Sequence, residues 1–282
     1  MNNPLRLGTR GSKLALTQSG FVAELIEQKT GVPVELIVIS TKGDRILDKP
    51  LAEIGGKGLF TFELETALRS NEIDLAVHSL KDLPTEDPDG LMIAAIPTRE
   101  DPRDAIVGTS LDKAKILGTG SARRLAQSKR LNPNIQIQDI RGNVDTRLAK
   151  LDSGQYDAIV LAMAGLNRLH IKRDDIQPLS VKRMIPAPGQ GALAIQCNAN
   201  RQKIIDLLCT VHDQTTADCV SAERTFLSEI GGGCNVSAGC YVQFLSGVFC
   251  GQAFVVTDSY KMASLCDNSP KRLGERLARA LR

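Results

Sequence analysis

The stretch LGTRGS at residues 7–12 returns later in the chain as LGTGS at residues 117–121. Leu-Ala and then Gln-Ser follow each copy at similar spacing. Behind the first copy, apolar residues recur at the spacing of a helix with one buried face. That face carries Leu14, Phe21, Val22, Leu25 and Ile26. The chain therefore contains two related units, each opening with a glycine-containing turn into a helix.

Both units continue through the same series of elements. We predict a strand at residues 34–39 in the first unit and at 135–140 in the second, then a helix, then strands at 73–77 and 156–160. Alternating strands and helices predict an α/β fold with mainly parallel sheets, here as two lobes facing each other across a cleft. The first unit has an extra glycine-rich segment, about 41–58, long enough to act as a lid.

A third region, a small α+β domain, begins near Cys209. It is predicted to hold a helix over 216–230 and a hairpin of Tyr241–Leu245 and Val248–Val256 that turns at Ser246-Gly247. A last helix carries Leu273, Leu277 and Leu281.

Three domains are expected from these elements. The Pro/Gly-rich segment 186–192 is interpreted as the return of the chain from the second lobe to the first. The predicted boundaries are 1–97 with 190–209 for the first lobe, 98–189 for the second and 210–282 for the α+β domain.

Composition excludes several classes of protein. The 282 residues are 42% hydrophobic and 24% charged, values typical of globular proteins and not of disordered chains or coiled coils. A net charge of +3, aromatic residues at 4% and the lack of Trp argue against nucleic-acid binding. No apolar run approaches the ~20 residues of a membrane-spanning helix. The start of the chain has no signal-peptide core, so a cytoplasmic protein is expected.

Cysteine and histidine usage predicts neither a disulfide framework nor a metal site. There are seven cysteines, an odd number, and three widely separated histidines. Most of the cysteines are interpreted as small buried apolar residues. Cys234 differs because it follows three glycines on a predicted exposed loop, where a thiolate could act as nucleophile or attachment point. The alternative is that these glycines only end the preceding helix.

Basic and hydroxyl side chains follow the predicted strands, where α/β proteins bind ligands. Together they indicate a ligand with several carboxylates or phosphates, although solvated surface is the alternative for any one of them. Asp82 lies among them, directly after a strand. Its carboxylate could transfer protons or stabilise a cation in the substrate, or it could cap a helix.

Seven segments in order along the chain resemble the porphobilinogen deaminase family. They are TRGSKLA at 9–15, GGKGLF at 55–60, HSLKDLP at 78–84, REDPRD at 99–104, RGNV at 141–144, PGQG at 188–191 and GGC at 232–234. The resemblance implies two lobes like those of type II periplasmic binding proteins, followed by a third domain. It also implies a transferase that joins four porphobilinogen molecules head to tail, with loss of ammonia, into hydroxymethylbilane for tetrapyrrole and haem biosynthesis.

The resemblance also implies a covalent dipyrromethane cofactor and a set of site residues. Cys234 would hold the cofactor by a thioether, and Asp82 would be the catalytic carboxylate. The residues implied to bind the cofactor are Ser12, Ser79, Lys81, Thr119, Ser121, Arg123 and Arg124. Those implied to bind substrate are Arg10, Phe60, Arg141, Arg147 and Arg168. A cytoplasmic monomer without metal, nucleic-acid or membrane partners is expected. The alternative is a non-catalytic anion-binding module of the periplasmic-binding type.

Overall fold

The computed structural model describes residues 3–41, 61–231 and 237–282. The strands of its first two sheets are β1 (Leu5–Thr9), β2 (Val34–Val38), β3 (Leu75–Ser79), β4 (Leu91–Ala95), β5 (Asp104–Gly108), β6 (Ile116–Gly118), β7 (Gln136–Gln138), β8 (Ala158–Ala162), β9 (Ile176–Pro178) and β10 (Leu193–Asn198). Those of the third are β11 (Ala238–Leu245), β12 (Val248–Val256) and β13 (Tyr260–Asp267). The helices are α1 (Lys13–Thr30), α2 (Phe62–Arg69), α3 (Ala122–Leu131), α4 (Val144–Asp152), α5 (Met163–Arg168), α6 (Gln202–Leu208), α7 (Gln214–Glu229) and α8 (Pro270–Leu281), with short 3-10 helices at Leu80–Asp82 and Cys209–Val211.

The chain forms two compact units. One consists of Met1–Arg99 with Ala192–Ala217, and the other of Glu100–Gly191 with Asp218–Arg282. The first unit is a lobe built on one five-stranded sheet of order β2-β1-β3-β10-β4. In this sheet β1 runs parallel to β2 and β3, whereas β10 runs antiparallel to β3 and β4.

The second unit contains a sheet of order β7-β6-β8-β5-β9, which repeats the arrangement of the first. Here β6 is parallel to β7 and β8, while β5 is antiparallel to β8 and β9. The α/β fold class is confirmed, but both sheets are mixed and not mainly parallel as predicted. The reason is that β5 and β10 each run against the neighbouring strands at the same place in the two sheets.

Equivalent glycines explain why the LGT stretch occurs twice. Gly8 lies opposite Ala76 across the first sheet, and Gly118 lies opposite Ile159 across the second. A side chain at Gly8 would collide with Ile73, and a Cβ at Gly118 would lie 2.9 Å from the ring of Tyr156. In both lobes, a large side chain just before the third parallel strand packs onto the glycine: Ile73 in the first lobe and Tyr156 in the second. A residue larger than glycine at position 8 or 118 would therefore push these side chains away from the sheet.

Helix α1 shows how one of the predicted helices is built. Ser12 caps its beginning, since the Ser12 hydroxyl accepts a hydrogen bond from the Ala15 N–H, and Gly31 ends it with φ of 71°. Val22 and Ile26 are fully buried in the first lobe's core, as predicted. Phe21 was predicted for the same face but is 47% exposed. It lies about 100° around the helix from Val22, beyond the edge of the buried stripe.

The third sheet, of order β11-β12-β13, lies in the second unit and is entirely antiparallel. The predicted hairpin is confirmed, and its turn residues Ser246 and Gly247 both have positive φ. Strand β13 adds to it. Helices α7 and α8 cover one face of this sheet, where Phe226 and the predicted Leu273, Leu277 and Leu281 form the core.

The cysteines depart from expectation at the third sheet and at Cys209. Cys250 and Cys266 form a disulfide between β12 and β13, although the sequence predicted no disulfide framework. They are 16 residues apart in the chain, and only the pairing of β12 with β13 sets them opposite each other. Cys197, Cys219 and Cys240 are buried, as predicted for small apolar residues, whereas Cys209 is exposed.

No helix within residues 3–41, 61–231 and 237–282 is both long enough and apolar enough to cross a membrane.

Candidate active site

In the first lobe, candidate residues collect at the carboxyl ends of the parallel strands. Arg10 follows β1 and is half-buried, and Ser12 caps α1 two residues later. The Ser12 oxygen is already used as a hydrogen-bond acceptor by the helix, so its remaining capacity toward a ligand is chiefly as a donor. The helix start next to it presents backbone N–H groups and a partial positive charge, which favours anions.

Strand β3 ends at Ser79 and turns at once into the 3-10 helix Leu80–Asp82. Leu80 is buried, and its N–H donates to the Ala192 carbonyl at 3.0 Å. The Ser79 hydroxyl lies 3.2 Å from the side-chain amide of Gln18 on α1. These contacts hold the turn, while Lys81 and Asp82 on it are exposed.

The exposed Asp82 carboxylate was a candidate for either catalysis or helix capping. Within the part of the chain that the structure describes, no helix N–H donates to this carboxylate, and the turn's N-cap position belongs to Ser79. A helix-capping role is therefore not seen. The arrangement leaves a negative charge on a fixed turn, one residue from the ammonium of Lys81, at the same sheet edge as Arg10.

His78 lies beside these residues but is buried. Its Nε2 is 3.1 Å from the Gln196 side-chain oxygen on β10. Burial lowers the pKa of His78 to about 4, and the nearby positive charge of Arg10 acts in the same direction. The ring is therefore neutral at neutral pH and packs in the lobe.

In the second unit the equivalent loop joins β6 to α3. Thr119 is buried, and its hydroxyl accepts from the Ser121 N–H at 3.2 Å. The Ser121 hydroxyl in turn accepts from the Arg124 N–H at 3.4 Å and so caps α3, as Ser12 caps α1. Both predicted cofactor contacts therefore have a structural task of their own at the start of a helix.

Arg123 and Arg124, in the first turn of α3, are almost completely buried. Both bind the carboxylate of Asp104, which begins β5 and has no exposed surface. Arg123 Nη1 is 2.7 Å from Asp104 Oδ2, and Arg124 Nη2 is 2.7 Å from Asp104 Oδ1. Burial raises the pKa of Asp104, but the two guanidinium charges outweigh burial and hold that pKa far below its ordinary value.

The other predicted arginines lie in a loop, in the first turn of one helix and at the end of another helix of the second lobe. Arg141 follows β7 and pairs with Asp139, with 3.4 Å between Nε and Oδ2. Arg147, on α4, donates from Nε to the Gly142 carbonyl at 2.8 Å. Arg168, at the end of α5, donates to the Gly191 carbonyl at 2.7 Å. Burial lowers the pKa of Arg168 to about 10, against the opposite effect of Glu100, so Arg168 stays charged at neutral pH.

The structure thus places Arg10, Ser12, Ser79, Lys81 and Asp82 at one edge of the first sheet. It places Thr119, Ser121 and the second lobe's arginines after parallel strands of the second sheet. Cys234, Phe60 and almost all of the predicted lid lie outside the described residues. Within those residues, no cluster of three or more His, Cys, Asp or Glu side chains could hold a metal ion.

Sequence reasoning missed Asp104, which lies in the REDPRD segment without a role assigned to it. It also missed Gln190, whose Nε2 donates to Asp104 Oδ1 at 3.1 Å and to the Pro102 carbonyl at 2.7 Å. An acidic residue ahead of an apolar strand was the available signal. Its two cationic partners, however, are about 20 residues away and become neighbours only in the folded lobe.

Taken separately, each lobe is an α/β domain with cationic and hydroxyl groups at the carboxyl ends of parallel strands, the construction of a protein that binds organic anions. Residues 5–206 match the family described as "Porphobilinogen deaminase, dipyromethane cofactor binding domain". The porphobilinogen deaminase of Staphylococcus carnosus is 48% identical over 245 residues, which cover 84% of this chain and 80% of that protein. That of Exiguobacterium sibiricum is 49% identical over 242 residues, covering 83% and 78% respectively. The chain belongs to the porphobilinogen deaminase family.

Two solved structures show a distant likeness. The probable amino-acid ABC transporter extracellular-binding protein ytmK from Bacillus subtilis is 12% identical, with a TM-score of 0.44, covering 80% of this chain and 97% of that one. The BvgS periplasmic VFT2 domain of Bordetella pertussis is 15% identical with a TM-score of 0.42, covering 73% and 86%. Neither likeness bears on function.

Proposed function

We propose that this chain performs the reaction of its family through the residues described above. It joins four porphobilinogen molecules head to tail, with loss of one ammonia at each step, and water then cleaves the chain from the cofactor and supplies the hydroxyl group of hydroxymethylbilane. The observation that carries the assignment of the catalytic group is the exposed Asp82 carboxylate on a rigid turn beside Lys81. This placement combines a fixed negative charge with access to a ligand.

Asp82 acts where positive charge develops on the substrate. When ammonia leaves the aminomethyl group of porphobilinogen, the pyrrole that remains is an electron-poor cation. A carboxylate held in position stabilises that cation and accepts or returns protons as the new carbon–carbon bond forms. The contacts of Ser79 and Leu80, which directly precede Lys81 and Asp82, keep the turn in place, so little reorganisation is needed during the reaction.

The cationic groups bind the carboxylates of the substrate and the growing product. Porphobilinogen carries two carboxylates, so each condensation adds two negative charges that must be neutralised. Arg10, Arg141, Arg147 and Arg168 are assigned to this task, with Phe60 as a further substrate contact. Arginine suits it because its planar fork can donate two parallel hydrogen bonds to one carboxylate and stays charged when partly buried.

The donor set also fits a dipyrromethane cofactor, which brings four carboxylates of its own. Arg123 and Arg124, less the charge of Asp104, keep a net positive charge in the second lobe. Ser121 and Thr119 precede them, and Lys81, Ser79 and Ser12 supply further donors in the first lobe. Cys234, in the proposed α+β domain 210–282, is the attachment point. When bound, the cofactor supplies the pyrrole end to which the first substrate unit is joined.

The chain is further proposed to act as a monomer in the cytoplasm, with porphobilinogen as its small-molecule substrate. The alternative, a non-catalytic anion-binding module, shares the lobes but has no use for a cofactor cysteine or for a carboxylate among cations. Ehrlich's aldehyde reagent separates the two, because it colours a bound dipyrromethane and leaves a plain binding protein colourless.

A comparison of Asp82→Asn with Asp87→Asn tests the catalytic assignment. Both residues are exposed carboxylates, five positions apart. Asp82→Asn is expected to fold and to keep its cofactor, while product formation falls roughly 10²–10⁴-fold, because an amide neither neutralises a cation nor exchanges protons. Asp87→Asn should behave as the unmodified protein.

Intact-mass spectrometry of the same samples checks the cofactor site. The unmodified protein and Asp82→Asn should carry the mass of two pyrrole units, and Cys234→Ala should not. Single changes at the other six cysteines should leave the added mass in place. A full adduct on Cys234→Ala would contradict the assignment of the attachment point, and near-normal turnover by Asp82→Asn would contradict that of the catalytic carboxylate.

A further inference from the structure

The cluster of Asp104, Arg123 and Arg124 has an unusual composition for a protein interior. The exposed fractions of the three residues are 0%, 6% and 7%. One carboxylate and two guanidinium groups leave a net charge of +1 away from water. Both arginines also lie in the first turn of α3, where the helix dipole disfavours cations. The charge pattern is therefore unfavourable on two counts.

Fold stability does not account for this arrangement. Removing ions from water costs several kcal/mol per ion in real proteins, and well-packed apolar residues often replace buried ion clusters without loss. A lobe that needed only to fold would be better served by a neutral core at this place. A surplus cation beneath the edge of a sheet is, in contrast, useful to a protein that binds a polyanion.

The contacts also fix both guanidinium groups in orientation. Asp104 uses a different oxygen for each arginine, and Arg124 adds a second bond from Nε to Oδ1 at 3.1 Å. Arg123 Nη1 donates in addition to the Ile185 carbonyl at 2.7 Å, and Arg124 Nη1 to the Val160 carbonyl at 2.9 Å. A planar donor group with two or more fixed acceptors has almost no rotational freedom left.

We infer that Asp104 is a positioning residue, which aligns Arg123 and Arg124 for the carboxylates of the dipyrromethane cofactor and holds their combined charge at +1. This inference rests on the proposed function, since it takes both arginines as cofactor ligands. Pre-aligned donors lose little conformational entropy when the ligand binds. Asp104 lies too deep to touch the cofactor, and it acts through the arginines.

The substitution Asp104→Asn keeps the size of the side chain and removes its charge. The guanidinium groups then lose a shared anionic acceptor and repel each other as a +2 pair. We expect at least a tenfold loss in the fraction of protein carrying the two-pyrrole mass. The initial rate divided by the loaded fraction is also expected to fall, with a rise in KM for porphobilinogen. A purely structural residue would lower the yield of folded protein and leave that ratio unchanged.

Two variants serve as matched controls. Asp175→Asn removes a carboxylate that pairs with the half-buried Arg173, near the opposite end of β5, and should load normally. Leu117→Ala opens a cavity in the core of the same lobe and lowers stability without touching the cluster. Loading is compared between Asp104→Asn and Leu117→Ala at equal distance below their thermal midpoints. Equal loading there would overturn the inference.

Asp104→Glu covers the case in which the Asn variant does not fold. It keeps the counter-charge and displaces it by one methylene, so it should fold but load less cofactor than the unmodified protein. Full loading of Asp104→Glu with an unfolded Asn variant would assign Asp104 to folding alone and overturn the inference.

Arg123→Gln and Arg124→Gln separate this inference from the proposed function. If both load normally, the arginines are not cofactor ligands and the proposed cofactor site is wrong at that point. If both lose the adduct while Asp104→Asn keeps normal loading, KM and rate, only the positioning role of Asp104 is wrong.

Discussion

Asp82 and Asp104 show two ways of placing a carboxylate among cations. Asp82 stays in water on a short turn, where it is accessible to a ligand. Asp104 is withdrawn from water, and two guanidinium groups compensate for its burial. The first arrangement suits a group that meets the substrate directly. The second suits a group that sets the geometry of its neighbours, because Asp104 has no exposed surface for a ligand to touch.

The low pKa of His78 predicts a loss of folding stability in mild acid. Its pKa is about 4 in the folded protein, against about 6.5 in an unfolded chain. As the pH falls below 6.5, the unfolded state takes up this proton and the folded state does not, so the free energy of unfolding decreases. Between pH 6.5 and pH 4 this single ring should cost on the order of 3 kcal/mol.

Urea unfolding at several pH values measures this effect. His78→Gln removes the titrating ring and should flatten the curve over that range, compared with the unmodified protein. His170→Asn, a change at an exposed histidine with positive φ that Asn tolerates, is the control and should leave the curve unaltered. If the free energy of unfolding depends on pH in the same way for His78→Gln and the unmodified protein, His78 takes up its proton at the same pH in the folded and unfolded states, and the prediction is wrong.

Among the elements, α1 and α3 begin in the same way but carry different side chains in their first turns. A serine caps each helix and a glycine precedes it on the strand, so both loops keep their shape. The second copy adds two consecutive arginines in the first turn, where the helix dipole is unfavourable to them. Asp104 supplies the compensating charge from β5, an element that enters the sheet next to β8.

The disulfide between β12 and β13 should stabilise the third sheet. In the chain-entropy model, closing a loop of about 15 residues lowers the entropy of the unfolded chain and so stabilises the folded protein by roughly 3 kcal/mol. The two cysteines are 16 residues apart, so this figure is an upper value for the stabilisation expected here. Thermal unfolding in non-reducing buffer should therefore occur at a higher temperature than unfolding with a reductant. Cys266→Ser should remove the difference.

The exposed free cysteine offers a control for this experiment. Cys209 lies in the first unit. Cys209→Ser should therefore keep the full difference in unfolding temperature between non-reducing and reducing buffer. Identical unfolding temperatures for the unmodified protein with and without reductant would show that the disulfide does not contribute to stability.

For the molecule as a whole, the proposed substrate-binding arginines belong to two lobes of one topology. Arg10 belongs to the first unit and Arg147 to the second. Since every condensation adds two carboxylates, successive steps should depend on different arginines. Loss of one charged hydrogen bond costs roughly 1.5–3 kcal/mol, enough to stop one step without abolishing the others.

Intact-mass spectra recorded with limiting porphobilinogen test this division. The unmodified protein should show evenly spaced mass increments, and Arg10→Leu and Arg147→Leu should stop at different increments. Arg183→Leu, a change at an exposed arginine of the second unit that pairs with Asp112, should show the full series. If Arg10→Leu and Arg147→Leu stop at the same increment, the division of labour is wrong while the family assignment is unaffected.

Several features of the fold could be predicted because they depend on residues close together in the chain. The repeated LGT stretch, the helical spacing behind its first copy and the Ser246-Gly247 turn are local patterns with local causes. The places of Arg10, Ser12, Lys81 and Asp82 at strand ends follow from the same patterns. The enzymatic roles of these residues, in contrast, were predicted from the resemblance of seven segments to the porphobilinogen deaminase family. The spacing of the residues alone would not have predicted those roles.

Other features were decided only by tertiary structure. The antiparallel entry of β5 and β10, the pairing of Cys250 with Cys266 and the burial of Arg123 and Arg124 on Asp104 all join residues that are distant in the chain or on different elements. The sequence by itself determined the two-lobed α/β fold and the chemistry at the strand ends, because periodicity and turn preference act over a few residues. Which charges meet, and which of them lose contact with water, depends on strand order and packing, and these are set when the whole lobe folds.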